Sequence, residues 1–401
     1  MNLHALIESH WQHPRLPLTL LLWPLSRLFQ AACTLRRLLY RTGCLNSRRL
    51  PVPLAVVGNI HAGGTGKTPV TAALVQSLQQ RGIRVGIVSR GYGRSLREIH
   101  VLTPESTAAE AGDEPLMLCR LTGAPTAVGT DRHAAAQALL ARHSGIQLVI
   151  ADDGLQHYAL HRDIEIAVYP AADAARYPDL LPNGGLREPF SRLFETDAVV
   201  LSNCQSADEG SLKAFAARFP QSSAASETGS LKTAGQPENR PALFYSHTRA
   251  RPPYRFVRPA DTLAAGSLKP GDNCAAAAAI ARPERFFQTL RMMGFPIGQT
   301  LALPDHAALP PERLPQADYV FLTEKDAAKL PPNAPDNIWI LPVCAEISPD
   351  LAGWLVRKLG LDASEHGGQK YSEPTQKDTR QQAADSTARR SRAVNSCVDP
   401  L

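Results

Sequence analysis

The sequence predicts an α/β fold: a parallel sheet flanked by helices, a second, smaller α/β domain, and an N-terminal amphipathic helix. Three observations support this prediction. Short apolar runs alternate with helical patterns between residues 53 and 202, a second alternation begins after residue 240, and residues 24–42 carry apolar and basic side chains on opposite faces. Strands that alternate with helices are typical of a parallel sheet covered on both faces.

The elements of the larger sheet follow from local patterns. An apolar run at 53–58 ends in a Gly-rich turn, which favours a buried strand. The remaining elements predicted for this sheet are a helix at 67–81, a strand at Val85–Ser89, a helix at 131–143, and strands at 146–151, Ile164–Tyr169 and Ala198–Ser202. The smaller unit is predicted from the patterns at Ala275–Leu290, Tyr319–Leu322 and Ile338–Leu341.

The N-terminal segment carries the positive charge of the chain. Residues 1–50 contain seven arginines and one acid, Glu8, and this difference of six equals the formal net charge of +6. Such a patch favours an anionic partner, either a membrane surface or a nucleic acid. The seven cysteines are scattered without a CxxC spacing, which argues against a disulfide framework or structural zinc and fits a reducing compartment.

A helix predicted at 24–42 has a Leu/Phe face and an Arg face, with Trp11 and Trp23 upstream. Pro24 suits the first turn of this helix. The pattern is typical of a helix that lies in a membrane interface, and the alternative is a surface helix packed on the next domain. The apolar stretch Leu16–Leu25 is short and interrupted by prolines, so we do not expect it to cross a bilayer, which takes about 20 apolar residues.

A glycine-rich turn between a predicted strand and a predicted helix is the most specific local signal. The turn consists of His61, Ala62, Gly63, Gly64, Thr65, Gly66, Lys67 and Thr68. Its glycines free backbone N–H groups to surround phosphate oxygens, and Lys67 is placed to reach the β- and γ-phosphates. A strict Walker A motif has glycine where this chain has His61. The turn predicts ATP binding on a P-loop NTPase-like sheet, and the alternative is a purely structural turn.

An apolar strand that ends in acid, Leu148–Asp153, matches a Walker B segment. A carboxylate at this position holds Mg²⁺ or its water, together with the Thr68 hydroxyl. Adjacent residues of an extended strand point in opposite directions, so we expect only one of Asp152 and Asp153 to face the metal. The alternative is an acid that caps a turn.

Eight motifs stand in one order along the chain. They are GNIHAGGTGKTP (58–69), SRGYGR (89–94), GDEP (112–115), DDGLQH (152–157), NGGLREP (183–189), ARPERFF (281–287), PDH (304–306) and TEKDAAKL (323–330). This ordered set resembles the tetraacyldisaccharide 4′-kinases, which phosphorylate the lipid A disaccharide precursor. The resemblance extends from the N-terminal helix to about residue 360.

The resemblance implies an activity and a location. It implies transfer of the γ-phosphate of ATP, with Mg²⁺, to the 4′-hydroxyl of a tetraacyldisaccharide 1-phosphate, forming lipid IVA. The implied partners are this acylated glucosamine disaccharide phosphate and the cytoplasmic face of the bacterial inner membrane, which the enzyme meets as a peripheral or monotopic protein. We expect a monomer that binds no nucleic acid.

The resemblance also implies roles for individual residues in a cleft between the two domains. Asp113 of GDEP is the candidate base, and His306 of PDH is expected to orient it or share its charge. The alternatives are a helix cap for Asp113 and a loop contact for His306. The other candidates are Glu114, Asp152, Asp153 and Glu188 for the magnesium or phosphate network, and Arg90 and Arg187 for anionic oxygens of ATP or substrate. Surface ion pairs are the alternative for both arginines. The run Thr323–Asp326 is expected either to shape the ATP side of the cleft or to cap a helix.

Two other classes of protein compete with a kinase. A membrane-linked switch ATPase of the deviant Walker A class carries a lysine directly before the double glycine, whereas this chain has Ala62. A nucleic-acid binder using the N-terminal arginines would need aromatic side chains interleaved on a strand platform, and the sequence lacks them. Both patterns favour the kinase.

These signals divide the chain into five parts. We predict a membrane-interface helical segment at 1–50, a P-loop kinase domain at 51–225, a linker at 226–240, a smaller C-terminal α/β domain at 241–362 and a disordered tail at 363–401. The tail is predicted from its mixed charges and its few large apolar residues.

Overall fold

The computed structural model describes residues 3–204, 209–219 and 241–361, apart from residues 177, 270 and 332. The predicted linker at 226–240 and the predicted tail at 363–401 lie outside the described residues. The helices are α1 (Leu3–Gln12), α2 (Leu16–Arg41), α3 (Lys67–Gln80), α4 (Ala108–Ala111), α5 (Asp113–Thr122), α6 (Arg132–Arg142), α7 (Glu209–Ala217), α8 (Pro283–Met292), α9 (Glu324–Ala327) and α10 (Leu351–Leu359).

The described strands form two sheets. They are β1 (Leu54–Gly58), β2 (Val85–Ser89), β3 (His100–Val101), β4 (Thr126–Val128), β5 (Leu148–Asp152), β6 (Ile164–Pro170), β7 (Ala198–Ser202), β8 (Ala242–Ala250), β9 (Tyr254–Arg255), β10 (Cys274–Ala278), β11 (Ile297–Ala302), β12 (Tyr319–Thr323), β13 (Ile338–Leu341) and β14 (Val343–Ser348). The predicted strands and helices of the P-loop region match observed elements to within one or two residues. The pattern at Ala275–Leu290 resolves into a strand followed by a helix.

The larger sheet has nine strands in the order β14-β8-β7-β6-β1-β5-β2-β4-β3. Its interior strands are parallel, and the two edge strands β14 and β3 are antiparallel to their neighbours. Alternate residues of β1 enter different cores: Val56 packs on the side of α6 and α7, and Val57 packs on the side of α3 and α10. Burial of both faces explains why the strands read as continuous apolar runs.

The smaller sheet has five strands in the order β11-β10-β12-β13-β9. The predicted boundary at residue 241 does not separate the two sheets, because β8 and β14 both belong to the larger one. The side chains of Phe244 on β8 and Leu355 on α10 are buried in the same core as α3. The chain therefore enters the smaller sheet at β9 and returns to the larger sheet after β13.

Helix α2 begins eight residues earlier than predicted. Pro17 occupies its first turn, where a missing N–H costs nothing, and Pro24 lies inside the helix rather than at its start. Among the described helices, α2 alone has the length and apolar composition to cross a membrane. One side of α2 packs on the protein, since Ser26 is buried with its Oγ 2.9 Å from the Leu180 carbonyl oxygen and Phe29 packs against the core beside α6.

Candidate functional site

The glycine-rich turn joins β1 to α3 at the carboxyl edge of the larger sheet, where the sequence places it. Gly66 is the residue before α3 and has φ 76°, a left-handed conformation that glycine adopts without strain. A Cβ at Gly66 would also lie 2.8 Å from Nδ2 of Asn203. Gly63 and Gly64 are exposed, so the turn is open to a ligand at the start of a helix.

Neighbouring loops hold this turn in place. The Asn59 side-chain amide donates to Oγ1 of Thr65 at 2.8 Å, and the Ser202 hydroxyl donates to the Thr65 carbonyl oxygen. The backbone N–H of Ala62 donates to the carbonyl oxygen of Gly185 at 2.7 Å. The turn is therefore fixed by side-chain and backbone hydrogen bonds from neighbouring loops before any phosphate binds.

His61 replaces the first glycine of a strict Walker A motif and is buried. Its ring lies edge-on to Tyr169 with centroids 5.0 Å apart, and its Nε2 is 3.8 Å from Oδ2 of Asp173. Burial is the main cause that lowers the pKa of His61 to about 4, although Asp173 opposes this effect. His61 is thus a neutral packing residue at neutral pH.

Lys67 lies in a cage of three carboxylates. Its Nζ is 3.5 Å from Oδ2 of Asp152, 3.4 Å from Oδ1 of Asp153 and 3.9 Å from Oε2 of Glu114. Burial disfavours the ammonium form, but the three acids outweigh it and raise the pKa of Lys67. Thr68, the next residue, is half-buried. The cage holds a charged lysine at the position where phosphate would arrive.

Asp152 and Asp153 reach this cage because β5 pairs directly with β1. We expected only one of them to face the site, and this expectation is wrong: β5 ends at Asp152, and Asp153 has φ 52°, so the chain turns and both carboxylates face Lys67. Burial raises the pKa of Asp152, against the opposing effect of Lys67. Burial has the same effect on Asp153, but Lys67 and Arg187 outweigh it and lower the pKa of Asp153 to about 2.

Asp113 and His306 meet across the two sheets. Asp113 is the first residue of α5, and its side chain does not cap that helix, whose N-cap is Gly112. His306 follows β11 and has φ 63°. Its Nδ1 lies 3.1 Å from Oδ2 of Asp113, and both side chains are largely buried. The pair predicted from two separate motifs is therefore formed.

Three residues that lie in the quoted motifs, but to which the sequence assigned no individual role, surround this pair. Nζ of Lys325 lies 3.1 Å from Nε2 of His306 and 2.8 Å from Oδ1 of Asp305, and Nζ of Lys329 lies 3.3 Å from Oδ2 of Asp113. The two lysines lie four residues apart in TEKDAAKL, a spacing that predicts neighbours on one face of a helix. That spacing was the available signal, but nothing in the sequence indicated what the face would contact.

The remaining predicted site residues differ in their surroundings. Nη1 of Arg187 lies 3.4 Å from Oδ2 of Asp153, next to the cage, whereas Arg90 is exposed. Glu188 is buried; it accepts hydrogen bonds from the Tyr158 hydroxyl and from Gln156, so its contacts are with structural neighbours rather than with Lys67.

Arg132, at the start of α6, is a buried cation for which the sequence suggested no role. It is 5% exposed, and its Nε has no hydrogen-bond partner among the described residues. Burial lowers the pKa of Arg132, and Asp153 and Asp152 counteract this effect. A buried guanidinium with an unsatisfied N–H beside the acid cage is suited to an anionic or hydroxyl ligand.

A phosphate loop with a caged lysine, next to a carboxylate paired with histidine, defines the class of P-loop phosphotransferases. Residues 18–360 match the family model described as tetraacyldisaccharide-1-P 4′-kinase. The chain therefore belongs to the tetraacyldisaccharide-1-P 4′-kinase family, as the ordered motifs predicted.

Individual relatives agree with this assignment. The chain is 50% identical to the tetraacyldisaccharide 4′-kinase of Neisseria meningitidis serogroup A over 358 residues, which cover 89% of this chain and 96% of that protein. It is 41% identical to the enzyme of Chromobacterium violaceum over 88% of this chain and 98% of that one. A crystal structure of LpxK from Aquifex aeolicus, described as an "apo" form in complex with ATP, matches with TM-score 0.67 and 25% identity over 85% of this chain and 99% of that chain.

Proposed function

We propose that this chain transfers the γ-phosphate of ATP to the 4′-hydroxyl of a tetraacyldisaccharide 1-phosphate, with Asp113 as the base. One observation carries the assignment of the base. Asp113 and Glu114 are consecutive: Asp113 pairs with His306, and Glu114 lies 3.9 Å from the P-loop Lys67. Two adjacent residues therefore link the proposed base, Asp113, to Lys67, the cation that would bind the phosphates.

The reaction needs a proton acceptor and charge neutralisation. When the sugar hydroxyl attacks the γ-phosphorus, a new P–O bond forms, the bond to the β–γ bridging oxygen breaks, and ADP leaves. The hydroxyl proton passes to the Asp113 carboxylate, while Lys67 neutralises charge on the phosphate oxygens. Contact with His306 keeps the Asp113 side chain in one orientation.

The acids around Lys67 fit a magnesium ion. Oδ2 of Asp152 is buried without a hydrogen-bond partner among the described residues, and carboxylate oxygen is the ligand that Mg²⁺ prefers. Asp152, Asp153, Glu114 and Thr68 would hold the ion. Within the described ranges, no three His, Cys, Asp or Glu side chains converge enough to bind a metal alone, so nucleotide oxygens would complete the shell. When bound, Mg²⁺ neutralises charge on the transferring phosphate.

We further propose that the chain acts at the cytoplasmic face of the bacterial inner membrane, as a peripheral or monotopic protein, and helix α2 supports the contact with a membrane. Leu16, Leu20 and Leu28 are each about 70% exposed on this helix. From Ser26 onward the opposite side packs on the protein through Ser26, Phe29 and Cys33. None of residues 16–25 is buried. This stretch is half the length that spanning requires, so the helix is suited to lie in the interface.

The test is a transfer assay with the full chain, Mg²⁺, γ-labelled ATP and tetraacyldisaccharide 1-phosphate in mixed micelles. Label should appear on the lipid in step with ADP. The same lipid without its 4′-hydroxyl should take up no label. Release of label only as free phosphate, at the same rate with both lipids, would contradict the proposal.

A further inference from the structure

Two lysines of the TEKDAAKL segment lie beside the Asp113–His306 pair without a role in the mechanism above. Lys325 is in α9 and Lys329 follows it, and their side chains are 13% and 11% exposed. Burying two ammonium groups is costly unless acids or acceptors surround them. Their neighbours therefore indicate what they do.

The contacts of Lys325 restrict the hydrogen positions on His306. An ammonium group only donates hydrogen bonds. Since Nζ of Lys325 lies 3.1 Å from Nε2 of His306, that nitrogen must accept, and the ring hydrogen must be on Nδ1. Nδ1 lies 3.1 Å from Oδ2 of Asp113, so Nδ1–H donates to the carboxylate. One tautomer satisfies both contacts.

Lys329 acts on the same carboxylate oxygen. Its Nζ lies 3.3 Å from Oδ2 of Asp113 and 3.1 Å from the carbonyl oxygen of Ala307. Oδ2 thus has two donors, whereas Oδ1 of Asp113 has no hydrogen bond among the described residues. The free oxygen is the one available to an acceptor hydroxyl.

The segment that carries both lysines is firmly held. Asp326, between them, is fully buried. Its Oδ2 accepts from the N–H of Ala279 at 3.1 Å and from the Thr323 hydroxyl at 2.7 Å. These bonds tie α9 to the end of β10, so the position of Lys325 is set by the smaller sheet itself.

We propose that Lys325 is a positioning residue: it holds His306 in the Nδ1–H tautomer, so that His306 donates to Oδ2 of Asp113 and leaves Oδ1 for the acceptor hydroxyl. The proposal rests on the proposed function of Asp113. A histidine in the other tautomer would present a lone pair to the carboxylate, repel it and release its orientation. Lys325 therefore acts on the rate through His306, without touching substrate.

The test compares Lys325→Met with Lys325→Arg in the full chain. Imidazole ¹⁵N shifts, assigned with His306→Gln, should report the Nδ1–H tautomer in the parent enzyme and in Lys325→Arg. Lys325→Met should give a mixture of tautomers, a kcat lowered roughly 10-fold and a KM for ATP unchanged within about two-fold. Lys358→Met, at an exposed lysine of α10, is the matched control and should change none of these quantities.

Several results would overturn the proposal. They are an Nε2–H tautomer in the parent enzyme, an unchanged tautomer in Lys325→Met, or a fall in Tm and kcat without a tautomer change. The tautomer is read without substrate, so it is independent of the transfer assay. If the parent enzyme transferred no phosphate to the lipid, the proposed function would be rejected and only the tautomer assignment would remain. Normal kcat in Lys325→Met would reject this inference and leave the proposed function intact.

Discussion

The two sides of the site are built in different ways. On the P-loop side, Lys67, Asp152 and Asp153 come from paired strands β1 and β5 and the helix that follows β1. On the other side, His306 and Lys325 come from the smaller sheet and reach Asp113 and Glu114 through side chains. The first side is fixed by backbone pairing and the second by ion pairs and hydrogen bonds.

This difference predicts that nucleotide binding and the phosphate-transfer step depend on different contacts. Strand pairing and the hydrogen bonds of the turn hold the P-loop side in place, whereas the second side depends on how the smaller sheet meets α5. One such contact joins α5 to the segment after α9: Nη1 of Arg120 donates a hydrogen bond to the carbonyl oxygen of Ala328 at 3.3 Å. We therefore expect changes on the P-loop side to alter nucleotide use, and changes on the second side to alter the chemical step.

The largest effect is expected from Lys67→Ala, on the P-loop side. The variant loses the cation that neutralises the phosphates and leaves three carboxylates facing each other, so kcat/KM should fall about 10³-fold or more. ATP binding by calorimetry should weaken in parallel. Circular dichroism should show an intact fold, and near-normal turnover in a folded variant would reject the role of Lys67.

Asp113→Asn tests the second side. The amide keeps the size of the side chain but takes up no proton, so kcat should fall about 100-fold or more while the KM for ATP changes little. Rapid-mixing measurement of one turnover checks that the loss is in the chemical step. A variant that changed only the KM for ATP would place Asp113 on the nucleotide side and remove the distinction between the two sides.

The sequence predicted the P-loop side better than the second side, for a physical reason. The phosphate turn and the strand Leu148–Asp152 are local patterns, and parallel pairing brings them together without further information. The dipeptide Asp153-Gly154 is typical of a turn. The prediction nevertheless placed Asp153 on an extended strand end, whereas the structure has it in the left-handed conformation. His306 was reached only through resemblance to a family.

The contacts of Lys325 and Lys329 depend on the packing of two sheets that are distant in the chain. Membership of β8 and β14 in the larger sheet was missed for the same reason, since strand pairing across a sheet leaves no local pattern. The predicted start of α2 is wrong because proline is typical of a first helical turn, whereas Pro24 lies inside the helix.

The proposed membrane contact sharpens the comparison, because α2 makes hydrogen bonds to Leu180, Asp179 and Arg187 in the domain that carries the P-loop. Replacing the exposed Leu20 and Leu28 together by glutamate should weaken binding to anionic liposomes roughly 10-fold or more, since each leucine loses apolar burial. Met292→Glu is the matched control: Met292 is 81% exposed, but it lies on α8 of the smaller sheet. Equal loss of co-sedimentation in both variants would contradict a specific role for α2.

The smallest effect concerns stability and belongs to His61 on the P-loop side. Its pKa is lowered from 6.5 to about 4 in the folded chain, mainly by burial. Between these values the unfolded chain binds a proton that the folded chain does not, so stability must fall as pH falls through this window. The loss from His61 between pH 7 and pH 5.5 should be about 1 kcal/mol.

His61→Gln removes this titration while retaining a polar side chain of similar length. Urea unfolding at pH 7 and pH 5.5 should therefore give a smaller pH dependence for the variant than for the parent chain, by about 1 kcal/mol. The comparison uses the change with pH, so a constant loss from altered packing against Tyr169 cancels. An equal pH dependence in both proteins would mean that the imidazole is protonated in the folded state, and that the start of the phosphate turn is more open to water than its burial indicates.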